Sequence, residues 1–218
     1  MRLCTALAFL FALFLTGSAS ADEAVRYKLE LSISWSKANH PHDWPETGGH
    51  MSGLVVVAHG ARYVLFEDGR TASSGLKLVA ENGRSTVLDA EFTEARRREL
   101  IGEVVKTEGL KKVPGIMKAE FIASESHPLV SFVTMLAPSP DWFTGASAIN
   151  LRADGKWVKR LRVPLWAWDA GTDSGSSYTS ANIETQPAQS IRLLATPHVL
   201  SGRGLAEIGY AQITKISD

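Results

Sequence analysis

Three aspartates in two loops carry the strongest chemical signal in this chain. Asp141 lies in Ala137-Pro138-Ser139-Pro140-Asp141-Trp142-Phe143-Thr144-Gly145, and Asp169 and Asp173 lie in Trp168-Asp169-Ala170-Gly171-Thr172-Asp173-Ser174-Gly175. A hard cation such as Ca²⁺ takes about six to eight oxygens from carboxylates, carbonyls and water. Gly171 lets the backbone curl so that the Asp169 and Asp173 carboxylates and an intervening carbonyl can face one point. Three converging carboxylates repel one another unless a cation lies between them. The spacing is not that of an EF-hand, which needs acids at alternating positions and a closing glutamate. The competing reading makes Asp141 and Asp169 turn or cap residues, as aspartates often are. On loop chemistry alone the two readings stand level.

Other residues invite weaker chemistry. His40-x-His42 with His50 and His59 is the best histidine cluster for zinc, but no cysteine joins it and no HExxH motif is present. Ordinary loop histidines are favoured, with His59 and His127 making hydrogen bonds at strand ends. Thr172-Asp173-Ser174-Gly175 has a faint likeness to a serine-protease nucleophile segment, without the flanking glycines or a histidine in a base context. Trp35, Trp142, Trp157, Trp166 and Trp168 could form an exposed stacking platform for sugars. Aromatic residues at strand positions are more often core, so a buried wall beside the aspartate loops is favoured.

The elements that must hold these loops are mostly strands. Residues 27–35 alternate, with Tyr27, Leu29, Leu31, Ile33 and Trp35 on one face. Residues 54–59 are a short continuous apolar run, suited to a strand buried on both faces. Residues 63–66 continue the apolar pattern before a turn at Glu67-Asp68-Gly69. Residues 71–82 have helical spacing at Leu76, Val79 and Ala80, with Gly83 placed as a C-terminal cap. A second helix is expected with Thr93 as cap and an apolar stripe at Ala95, Leu100, Ile101, Val104 and Val105; its Arg96-Arg97-Arg98 reads as a solvated face. Residues 117–123 and 130–136 read as a hairpin-like pair. Residues 157–168 form a long strand candidate in which Pro164 marks an edge or bulge. Residues 191–194 and 208–216 complete the set. The fold class that follows is mainly β: one antiparallel β-sandwich with two inserted helices. Both aspartate loops follow strands, so they can share one end of it.

The N-terminus predicts export. A basic Arg2, the apolar residues 4–15 and an Ala19-x-Ala21 site make a signal peptide over 1–21, cleaved after Ala21, and a single domain over 22–218. The apolar stretch is short for a membrane span, and no second long one follows. The one cysteine, Cys4, belongs to that leader, so the remainder has no disulfides and is held by its core. The 23 basic side chains match the 23 acidic ones, and loss of Arg2 leaves one net negative charge, which does not suggest nucleic acid or an anionic membrane as partner.

The two aspartate loops, with His127-Pro128-Leu129-Val130-Ser131-Phe132 before the first, resemble the spondin N-terminal domain family. Ile33-Ser34-Trp35-Ser36, His40-Pro41, Ala58-His59 and Ala72-Ser73-Ser74-Gly75-Leu76 agree, in the right order. The resemblance implies a C2-like antiparallel β-sandwich with one Ca²⁺ at one end, its ligands falling on Asp141, Asp169 and Asp173. It favours the metal reading of the loops. It also implies a non-enzymatic binding or adhesion module, periplasmic or secreted, whose surface or matrix ligand, protein or glycan, is unknown. The rival expectation is a metal-dependent hydrolase working at the same end. Animal members of the family carry cysteines around this domain, whereas this chain has none after Cys4.

Overall fold

A computed structural model describes residues 23–202 and 204–217. The expected signal peptide and its cleavage point lie outside the described residues. Strand β1 (Ala24–Ile33) buries every second side chain, Val25, Tyr27, Leu29, Leu31 and Ile33, and Trp35 continues the row. That alternation is what a strand with one face on a core requires. β2 (Val55–His59) is buried at all five positions. Val56 and Ala58 face the core between the two sheets, while Val55 and Val57 face a second core beneath the helices.

Helix α1 (Ser74–Asn82) starts at Ser73, whose hydroxyl accepts the Leu76 N–H at 3.1 Å, and stops at Gly83 in the left-handed region (φ 66°). Both ends match the cap chemistry of their residues. Helix α2 (Thr86–Arg97) begins earlier than the apolar stripe predicted, and β3 (Ile101–Lys106) occupies the stretch expected to be its second half. The buried face of α2 is Leu88, Phe92 and Ala95. Thr93 does not cap; its hydroxyl donates to the Asp89 carbonyl one turn back. Leu100, Ile101, Val104 and Val105 imitate helical spacing, but β-branched residues beside Gly102 favour a strand paired with β2. Residues 63–66 form no strand; Leu65 and Phe66 reach the helix-side core from an irregular segment.

The remaining main strands are β4 (Gly115–Ser124), β5 (Leu129–Ala137), β6 (Trp142–Asn150), β7 (Arg160–Leu165), β8 (Ala167–Asp169), β9 (Arg192–Leu193) and β10 (Gly209–Ser217). One sheet runs β7–β10–β1–β4; the other runs β9–β8–β6–β5–β2–β3, with the short strand His50–Met51 also on β5. All these pairings are antiparallel. The expected hairpin of β4 and β5 does not form. The two are consecutive but lie in opposite sheets, β4 on β1 and β5 between β2 and β6. Local alternation reports that a strand has a buried face, not which neighbour it pairs with.

The product is an antiparallel β-sandwich with two helices on its outer side. Leu29, Phe121, Phe132, Trp142 and Ile213 belong to the core between the sheets. Leu76, Leu88, Phe92, Val133 and Phe143 form the layer under the helices. Between Arg160 and Asp169 the chain leaves one sheet for the other, with Pro164 on the edge strand β7. That crossing carries the chain from β7 into the second aspartate loop. Among the described residues no helix is long and apolar enough to cross a membrane.

Candidate metal centre

Asp141 stands at the start of β6, and Asp169 ends β8, the strand paired to it; Asp169 lies opposite Trp142 in the register. The sheet therefore places the first aspartate loop beside the second. The Ala170 N–H donates to the Asp141 carbonyl at 3.2 Å, which ties the loops at their backbones. All three aspartates are buried: Asp141 fully, Asp169 to 7 % and Asp173 to 6 % exposure.

Each carboxylate has a different set of partners. Asp141 Oδ2 accepts the Thr172 N–H at 2.7 Å, the Asp173 N–H at 3.1 Å and the Thr172 hydroxyl at 3.3 Å. Asp141 Oδ1 is buried and has no hydrogen-bond partner among the described residues. Asp169 Oδ1 accepts the Gly171 N–H at 2.8 Å, and its Oδ2 accepts Arg192 through Nε at 3.2 Å and Nη2 at 3.0 Å. Asp173 Oδ1 accepts the Gly175 N–H at 2.7 Å and Oδ2 the Ile183 N–H at 3.1 Å. These are the local bonds by which aspartates shape loops, so the turn reading and the ligand reading are both served by the same residues.

Burial pushes the Asp141 carboxyl up to about 6. The Thr172 N–H opposes that rise, and the negative charge of Asp169 adds to it. The chain thus holds a carboxylate in a place that disfavours its charge, with one oxygen unsatisfied. An unpaired buried acceptor costs about 1–3 kcal/mol.

The donor atoms are of the type a hard cation takes. A carboxylate offers about four acceptor sites, and each of these three has capacity left beyond its present bonds. Oxygen-only donors suit calcium. Among the described residues, however, no three acidic, histidine or cysteine side chains stand together as a preformed cage. The structure brings the three aspartates to one end but holds Asp169 toward Arg192 and Asp173 toward Gly175 and Ile183. Asp169 and Asp173 line a cavity of about 200 Å³ together with Trp142 and Arg192. Arg192 is the residue that loop chemistry missed. It arrives from β9, 23 residues beyond Asp169, and nothing in the local pattern marks it as a partner.

The other candidates disperse. His59 contacts the Gly60 carbonyl through Nδ1 at 2.9 Å and the Ser131 hydroxyl through Nε2 at 2.8 Å, and His127 meets Ser126, as strand-end histidines were expected to. His42 packs against His198, with centroids 4.9 Å apart, rather than joining His50 and His59. The Ser174 hydroxyl donates to the Ile183 carbonyl at 3.2 Å, not to a base. Trp142 is buried against Tyr178 and His198 and forms the expected wall beside the loops, while Trp168 is half-buried against Phe66.

An antiparallel sandwich with two helices and an acidic loop end defines the class. The Spondin_N family profile matches residues 25–200, and the chain belongs to that family. It is 37% identical to chicken (Gallus gallus) Spondin-1 over 178 residues and 36% identical to the human protein; each match covers 78% of this chain and 22% of the relative. Rat (Rattus norvegicus) Spondin-2 is 30% identical over 175 residues, 79% of this chain and 53% of its own length. The match thus spans about a fifth to a half of these relatives.

Proposed function

We propose that this chain is an exported, non-enzymatic binding module whose loop end is ordered by one Ca²⁺ held by Asp141, Asp169 and Asp173. The observation that carries this reading is the Asp141 side chain: fully buried, next to a second carboxylate, with Oδ1 unpartnered. A cation would satisfy that oxygen and offset both the burial that chiefly raises the Asp141 pKa and the smaller repulsion from Asp169. Membership of the Spondin_N family supports the binding-module part of this reading, and a secreted or periplasmic adhesion role toward a protein or glycan surface is part of the proposal.

Calcium bound by loop aspartates orders those loops and stabilises the fold by linkage. Here the gain falls on a domain that has no disulfide to close it, since Cys4 is the one cysteine of the sequence. The test is calorimetric titration of Ca²⁺ into chelator-treated protein, repeated with Asp173→Ala. Binding in the native protein and a large loss in the variant are expected. Absence of heat in the native protein defeats the metal reading, and equal affinity in the variant defeats the ligand assignment.

A further inference from the structure

A second, larger cavity than the one at the aspartate loops lies away from them. It measures about 470 Å³ and lies where the two sheets part, between residues 145–149 of β6 and Val163 to Trp166 at the crossing into β8. β8 covers β6 only at Trp142, Phe143 and Thr144. Beyond Thr144 no strand among the described residues pairs with this edge of β6, and β7, the facing strand, is itself the edge of the other sheet.

An open edge suggests strand addition by a peptide, but this one is blunted. The β5–β6 register shifts between Val130 and Phe132, and Ala148 adopts φ 55°. The Ala148 N–H donates inward to the Ser131 hydroxyl at 2.8 Å, so it cannot donate to a guest strand. Bulges of this kind end pairing and protect edges. The space therefore suits an occupant that fills it rather than extends the sheet, and its size falls in the range of about 300–1,000 Å³ typical of small-molecule sites.

The lining states the chemistry. Val64, Phe66, Val163 and Trp166 supply apolar surface, and no lysine or arginine lines the cavity. Glu67 and Asp68 stand exposed at its rim. Glu67 pairs with Arg70, but no cationic side chain pairs with Asp68 among the described residues. Trp166 is half-buried and makes no aromatic ring contact among the described residues, unlike Trp35, Trp44, Trp142 and Trp168. Trp166 beside the uncompensated Asp68 carboxylate attracts an organic cation through its ring quadrupole and that charge.

We propose that this groove binds a small organic cation with an apolar body, seated beside Trp166 with its charge toward Asp68 and Glu67. The site is independent of the calcium reading and shares none of its ligands. The probe is benzyltrimethylammonium, titrated by calorimetry and tryptophan fluorescence against benzenesulfonate, which has a similar body and the opposite charge. The cation is expected to bind about tenfold or more tighter than the anion. Asp68→Asn, at an exposed turn, should lower cation affinity severalfold without changing the circular dichroism. Trp166→Ala should abolish binding, and Asp173→Ala should leave it intact. Equal affinity for the two probes overturns the proposal, as does unchanged affinity in both groove variants. Concentration-dependent dimers lost in Trp166→Ala also overturn it, because the groove's occupant would then be a second copy of the chain.

Discussion

Asp141 and Thr172, 31 residues apart, are joined twice: Asp141 Oδ2 accepts both the backbone N–H and the hydroxyl of Thr172. One carboxylate oxygen thereby fixes the course of the other loop, while its twin has no hydrogen-bond partner among the described residues and is the atom proposed to meet a cation. The two roles are separable by experiment. Asp141→Ala strands the Thr172 and Asp173 N–H groups in a buried site, at about 1–3 kcal/mol for each unsatisfied group. Urea unfolding in chelator should therefore show a loss of about 2 kcal/mol or more. The calcium-dependent rise in Tm should vanish in the same variant. A normal calcium response in Asp141→Ala removes this residue from the ligand set.

Gly171 tests whether the loop's backbone course matters independently of its carboxylates. It adopts φ 72°, and a Cβ there would lie 2.5 Å from the Gln189 carbonyl oxygen. Gly171→Ala thus combines left-handed strain with a backbone clash and is expected to cost about 2–6 kcal/mol, by adding the strain and overpacking ranges. Gly155 has a similar φ of 73° but open space around its Cβ position. Gly155→Ala isolates the conformational part, about 1 kcal/mol. Thermal unfolding of the two variants should separate them clearly; equal losses mean that the close approach to Gln189 is relieved cheaply.

Arg192 sets the charge of the site from outside the loops. Its guanidinium donates two bonds to Asp169 Oδ2, yet its side chain is 62% exposed. The guanidinium is exposed but the Asp169 carboxylate is buried, so this half-exposed pair contributes on the order of 1 kcal/mol to stability, at the upper end for surface pairs. Its effect on a divalent cation bound nearby is larger in sign than in size: it repels. Arg192→Gln should lower Tm in chelator by a few degrees at most and tighten calcium binding severalfold at low salt, with the difference shrinking as salt is raised. Weaker binding in Arg192→Gln means that the arginine orients Asp169 for the metal rather than opposing it.

The core offers a plain measure of the sandwich. Phe132 is fully buried on β5, in the middle of the larger sheet and inside the core between the sheets. Phe132→Ala is expected to cost about 3–5 kcal/mol. A loss under 1 kcal/mol, read from the denaturant midpoint at unchanged slope, contradicts that burial.

Sequence was informative wherever a single element carries its own signal. The alternation of Tyr27, Leu29 and Leu31 marks β1, the unbroken Val55-Val56-Val57 run marks a strand between two cores, and Gly83 marks the end of α1. It misled where two periodicities overlap, as in 100–105, whose apolar spacing mimics a helix while its Ile and Val residues prefer a strand. It could not tell that β4 and β5 part into opposite sheets, because pairing is decided by contacts distant in the chain. The aspartate loops were legible as loops, and their common end followed from the strands before them. Arg192, the unpartnered Oδ1 of Asp141 and the groove at Trp166 were not, since each arises from segments brought together only by the fold.

His59 provides the pH test. Burial lowers its pKa from 6.5, the Gly60 carbonyl partly opposes that, and His127 adds a small further push down. The hydrogen bonds suit a neutral ring, with Nδ1–H donating to Gly60 and Nε2 accepting from Ser131, an assignment made from the network. Because the folded pKa lies below the unfolded one, the unfolded chain takes up a proton first as pH falls. The stabilisation is complete above about pH 6.5 and is lost as pH falls from there toward the folded pKa. His40 and His198 are shifted the same way by burial, so the effect is shared among three rings. In His59→Gln the drop in unfolding free energy between about pH 7.5 and 5.5 should be smaller than in the native protein, with a residual slope from the other two. Parallel pH curves for the two proteins mean that His59 titrates alike folded and unfolded.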